Sequence, residues 1–237
     1  MMSIILVDER ISEATERSLY KLGVRPIRLP KDPWLGEAVA SHPDTLIFHH
    51  ERTIITTADY CDVAAYIFSD IREMTGDVKI SFTADVRGRK YPEDCMMNSL
   101  VIEDKIFCNK NHISKAIIEY ADENCLNIIH TNQGYPACTT LAFGNNAITA
   151  DLGMAKAMKN EGVNVLEISR GHISLPPHEY GFIGGASVVI GRRVCFYGNI
   201  IRHPDGKAIT DFIRNNGFEP ISLSNESLVD FGGGIVL

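Results

Sequence analysis

Long apolar runs are missing from this 237-residue chain: no stretch reaches the roughly 18 residues that a membrane-spanning helix needs, so no membrane partner is expected. Basic runs are scarce as well. The longest is the short Arg87-Gly88-Arg89-Lys90, within a net charge of -7 from 23 basic and 30 acidic residues. Recognition of a phosphate backbone needs a basic face, so nucleic acid is not an expected partner, and the short run reads as a solvated loop. The six cysteines, Cys61, Cys95, Cys108, Cys125, Cys138 and Cys195, contain no C-x-x-C pair. That spacing argues against a zinc site built from pairs and predicts free thiols in a reducing compartment. The opening MMSIILVDER has neither a basic leader nor a small-residue cleavage site, which predicts a cytoplasmic protein. With 45% apolar and 22% charged residues, the composition excludes a disordered or coiled-coil chain.

What the chain does have is a repeat. Short apolar runs follow turn signals at Pro43-Asp44-Thr45-Leu46-Ile47-Phe48, Met97-Asn98-Ser99-Leu100-Val101-Ile102, Cys138-Thr139-Thr140-Leu141-Ala142-Phe143 and Gly185-Ala186-Ser187-Val188-Val189-Ile190. A fifth, Gly232-Gly233-Gly234-Ile235-Val236-Leu237, ends the sequence, and the successive spacings are 54, 41, 47 and 47 residues. A tight turn and a second strand follow four of the runs, as at Gly144-Asn145-Asn146 and Gly191-Arg192-Arg193. Helical spacing comes next, for example Ile113, Ala116, Ile117 and Tyr120. Three of these helices are expected to stop at Gly76, Gly162 and Gly217, after which a third strand begins.

Each unit therefore reads as hairpin, helix, strand. The N-terminus supplies a strand (Ile4 to Val7), a helix and another strand, whereas the C-terminus supplies only a first strand. Pairing Ile235–Leu237 with Ile4–Val7 would complete a fifth unit and close a ring without exposed edges. We expect one α/β domain over residues 1–237, with Pro30–Pro43 and Asp85–Cys95 as its longest irregular stretches.

Five such units in this length resemble the pentein fold, the five-bladed α/β propeller of the guanidino-group-modifying enzymes. The superfamily holds arginine deiminases, dimethylarginine hydrolases, agmatine deiminases and amidinotransferases, and also a non-enzymatic ribosome anti-association factor. In the enzymes the resemblance implies acids that hold the guanidinium, a histidine acid–base and a cysteine nucleophile before the last strand. Ser41-His42-Pro43-Asp44-Thr45 looks like the dimethylarginine hydrolase Phe-Val-Glu-Asp-Thr motif, which makes Asp44 a retained guanidinium-binding acid. Their Gly-Gly-Asp falls on Met96-Met97-Asn98, their histidine on Tyr135, and their cysteine within Gly232-Gly233-Gly234. Glycine has no nucleophile, and losing one member of such a concerted set costs on the order of 10⁶ in rate.

The resemblance thus implies a diverged pentein, a pseudoenzyme that binds a small polar guanidino or amino-acid-like ligand through Asp44, Asn98, Tyr135 and Thr139. An alternative is a carbon–nitrogen hydrolase or amidinotransferase-like enzyme that uses a relocated Cys138 with His172 or His178 as base. A protein-interaction module is a third reading. The six-residue gap between His172 and His178 matches no standard metal site, and His49 and His50 point to opposite faces of a strand, so neither metal nor cofactor is expected.

Overall fold

The computed structural model describes residues 3–237. β1 (Ser3–Asp8) leads to α1 (Glu13–Lys21), whose start is fixed where the Ser12 hydroxyl accepts the Thr15 N–H at 3.1 Å. β2 (Val24–Leu29) then returns parallel to β1. The next unit comprises α2 (Pro43–Leu46), β3 (Ile47–His50), β4 (Thr53–Thr57), α3 (Ala58–Val63), α4 (Ala65–Thr75) and β5 (Lys79–Thr83). It is followed by β6 (Leu100–Ile102), β7 (Lys105–Cys108), α5 (Lys115–Glu123) and β8 (Asn127–His130). A third unit comprises α6 (Pro136–Thr139), β9 (Thr140–Phe143), β10 (Asn146–Thr149), α7 (Leu152–Asn160) and β11 (Asn164–Glu167). The fourth holds β12 (Ser187–Ile190), β13 (Arg193–Phe196), α8 (Gly206–Asn215) and β14 (Glu219–Ser222), and β15 (Ile235–Val236) ends the chain.

Among the described residues these strands form five three-stranded sheets, each with its middle strand antiparallel to the first and parallel to the third. The ring closes as expected: Ile5 pairs with Val236 and Leu6 with Ile235, so the fifth sheet is β15-β1-β2. Helices cover the outer face. From α4, Ile67, Phe68 and Ile71 pack in one cluster with Leu46 and Ile54, each buried side chain contributing about 1.5–3 kcal/mol. Gly76, Gly162 and Gly217 follow their helices with φ of 68, 79 and 78°. Among the described residues no helix is long and apolar enough to cross a membrane.

Three details differ from the sequence reading. The register of the unit from Pro43 to Thr83 is two residues off, because Ile47, not Thr45, is the counterpart of Thr140: Ile47 faces Thr56 as Thr140 faces Thr149. The Thr56 hydroxyl donates to the Leu46 carbonyl at 2.8 Å and Thr149 to Thr139 at 2.9 Å, which locks both units in the same register. Second, the longest connection is residues 168–186 between β11 and β12, ahead of the two expected loops. Third, the basic run is not freely solvated. Arg87 forms a buried ion pair with Asp32, and Arg89 stacks over Trp34 at 4.0 Å, joining the loops before α2 and β6.

Candidate functional site

The inner strands β3, β6, β9, β12 and β15 line the ring axis, and the connections entering them converge at one end. Pro43 confines His42 to extended backbone (φ -65°, ψ 118°) and opens α2, so His42 and Asp44 project from one tight turn. Pro136 opens α6 in the same way, and Cys138 belongs to that short helix rather than to a plain turn.

These two turns meet. The Cys138 thiol donates to Asp44 Oδ2 at 2.7 Å, and the Thr45 hydroxyl donates to Asp44 Oδ1 at 3.2 Å. Asn98 lies on the other side, with its amide N–H 3.7 Å from Cys138 Sγ and its carbonyl accepting the Ala137 N–H at 2.9 Å. The structure therefore brings Asp44, Asn98 and Cys138 together.

Two residues that the sequence reading passed over complete the centre. Asp230 accepts the Gly232 and Phe182 N–H groups, both at 2.9 Å, and His42 Nδ1 stands 3.9 Å from its carboxylate. His42 Nε2 stands 3.8 Å from Asp8, itself held by Arg10 at 2.6 Å. Glycines make the room: a Cβ on Gly185 would lie 1.8 Å from Asp230 Oδ1, and one on Gly232 would lie 2.3 Å from His42 Cβ. The glycine runs before β12 and β15 thus accommodate side chains arriving from elsewhere. That was the available signal, together with the Asp230 that precedes the last run.

The electrostatics follow from enclosure. Burial, then the Asp230 charge, pushes the Asp44 carboxyl up to about 8. Burial, then Asp44, raises the Cys138 thiol well above its ordinary range, so sulfur holds its proton. Burial likewise raises Asp230 and lowers His42. Among the described residues, no lysine or arginine pairs with Asp44 or Asp230.

A cavity of about 560 Å³ lies above this floor, lined by His42, Cys138, Asp230, Tyr135, Asp94 and His178 among others. Tyr135 lies close to Asp94, whose carboxyl is raised by burial, and packs near Tyr91 with ring centroids 5.6 Å apart. Asp44 faces the opposite way, into a channel of about 360 Å³ along the axis that it shares with His49 and the glycines before β15. Thr139 and His172 stand apart, lining a separate cleft of about 460 Å³. There the Thr139 hydroxyl donates to the Pro136 carbonyl at 3.1 Å and the His172 ring packs on His203, with centroids 5.4 Å apart. Of the two histidines considered as a base, only His178 shares the cavity with Cys138.

Solved structures of this architecture include a DDAH, amidinotransferases and an agmatine deiminase. A cysteine-to-serine mutant of DDAH from Pseudomonas aeruginosa, complexed with citrulline, superposes with a TM-score of 0.57 at 13% identity. The match covers 94% of this chain and 92% of that one. Inosamine-phosphate amidinotransferase from Streptomyces griseus gives 0.56 at 11% identity, covering 98% and 91%. The agmatine deiminase of C. jejuni gives 0.53 at 10% identity, covering 96% and 91%. At these identities the likeness establishes the fold. No curated protein matches the sequence. A sequence family described as a family of unknown function, DUF6873, matches residues 6–235. This chain accordingly belongs to the DUF6873 family and is built on the pentein fold.

Proposed function

We propose that the chain binds a small polar ligand with a cationic end, guanidino or amino-acid-like, at the centre where Asp44, Asn98, Cys138 and Asp230 meet, between the cavity lined by Cys138 and Asp230 and the axial channel lined by Asp44. On this reading it does so as a pseudoenzyme, without a nucleophile before the last strand, where Gly232-Gly233-Gly234 stand. One observation carries the reading. Two enclosed carboxylates, Asp44 and Asp230, lie beside a protonated thiol with no lysine or arginine paired to either. Burial opposes the ionisation of these two carboxyls, and a guanidinium reverses that by donating charge-assisted hydrogen bonds to the carboxylates in a planar fork. Tyr135 and Asp94 add a hydroxyl and a third acid on the cavity wall.

Thermal shifts with arginine, agmatine, methylarginines, ornithine and neutral citrulline test it, each in the presence of a chelator. A cationic ligand at about 100 times its Kd adds about 2.7 kcal/mol. For a chain of this size that is a rise of about 5–10 °C. The rise is expected for cationic compounds and not for citrulline, and is lost in Asp44→Asn. A panel without any shift would remove the proposal.

A turnover reading, with Cys138 as nucleophile and His178 as base, draws on their shared cavity. Against it stand the burial and the neighbouring Asp44 that keep the proton on sulfur. Iodoacetamide is expected to label exposed Cys125 first and buried Cys138 only slowly in the native protein. Rapid, selective labelling of Cys138 would favour turnover instead.

A further inference from the structure

We infer that His42, Asp44 and Cys138 form a binding site for a divalent metal ion of the zinc class. One ligand atom from each, a nitrogen, an oxygen and a sulfur, lie within 4.8 Å of one another. A tetrahedral zinc ion with bonds of about 2.0–2.3 Å holds its ligand atoms about 3.3–3.7 Å apart. The trio reaches that spacing by small side-chain rotations that open the 2.7 Å Sγ···Oδ2 contact and draw the imidazole in.

An independent observation points to the same place. The His42 side chain is fully buried, yet both of its ring nitrogens lack a hydrogen-bond partner. Buried imidazoles ordinarily satisfy at least one nitrogen, so an orphaned ring aimed at a thiol and a carboxylate is a ligand in waiting. Whichever nitrogen binds, the other lies close to a buried acid: Asp8 is 3.8 Å from Nε2 and Asp230 is 3.9 Å from Nδ1. A slight tilt of the ring converts that approach into the carboxylate–histidine–metal arrangement that orients the imidazole and raises its basicity.

The charges and ligand types agree. A thiolate and a carboxylate together neutralise a divalent ion. The S, N, O set suits zinc and its transition-metal neighbours over magnesium or calcium, which take oxygen ligands. On binding, the Cys138 thiol and the protonated fraction of the Asp44 carboxyl release their protons to solvent as the metal–sulfur and metal–oxygen bonds form, with no change of oxidation state. Three protein ligands leave a fourth position, which opens toward the cavity lined by Tyr135 and Asp94. The inference goes beyond the ligand-binding proposal and does not require it.

The test uses the full chain, stripped with chelator and titrated with Zn²⁺ and Co²⁺ in the absence of any organic ligand. One equivalent of Zn²⁺ is expected, with a thiolate-to-cobalt charge-transfer band in the Co²⁺ form. Cys138→Ser should abolish the band and Cys125→Ser should leave it unchanged, while Asp230→Asn, with Nε2 on the metal, or Asp8→Asn, with Nδ1 on it, should weaken binding about 10–100-fold. In the unmodified protein, bound Zn²⁺ should protect Cys138 from alkylation as read by mass spectrometry, a result that needs no variant to fold. Binding below one equivalent, a band that survives Cys138→Ser, or labelling of Cys138 unaffected by Zn²⁺ would each overturn the inference. Because the guanidino panel runs under chelation and this titration without ligand, either result stands or falls alone.

Discussion

His49 carries the clearest pH dependence at the scale of a single residue. It sits on β3 facing the axial channel, its Nε2 is buried without a partner, and burial pushes the imidazole down to about 4. In the unfolded chain an imidazole titrates near 6.5. Between these values the unfolded state binds more protons than the folded one, so stability falls as pH falls. The contribution is therefore complete above about pH 6.5 and is lost toward pH 4, with a ceiling of about 3 kcal/mol. Melting temperatures across that window should drop more steeply for the natural chain than for His49→Gln. Equal slopes would show that His49 is not the group responsible.

The elements that approach the axis work by contrast between crowded and empty turns. The turns before β3 and β9 open with a proline and project His42, Asp44 and Cys138, while the turns before β12 and β15 are glycines that receive Asp230 and His42. Gly185→Ala places a methyl group on Asp230, and Gly232→Ala places one on His42 at a φ of 67°. Each should cost about 1–3 kcal/mol by overpacking and lower the melting temperature by several degrees. Gly36→Ala, with nothing within 4 Å of the added carbon, should not. The repeat was legible because hairpin turns, apolar triplets and helix-ending glycines are all local signals. The two-residue slip arose where Thr45 mimicked Thr140. The true registration marks were Pro43 and Pro136, each opening a one-turn helix that delays the strand.

Across the molecule, closure rests on the two short segments that pair β1 with β15, flanked by mutual backbone hydrogen bonds between Ile4 and Leu237 at 2.9 and 3.2 Å. Removing Ile235–Leu237 should leave an unpaired β1 edge and a broad, less cooperative calorimetric transition in place of a sharp one. The site was only partly legible for a related reason. Asp44, Asn98 and Tyr135 stood at recognisable places in the repeat, whereas the pairing of Cys138 with Asp44 and the presence of His42 and Asp230 depend on contacts across the ring. No spacing along the chain encodes which units face one another, and that is why His172 drew attention although it lines another cleft. The fastening strand is also the last of the fifteen described strands in chain order, and Asp230 and Gly232 lie just ahead of it. A nascent chain can therefore assemble four blades early while its centre stays unfinished, and whatever the centre does begins only after β15 and the residues just ahead of it have been synthesised.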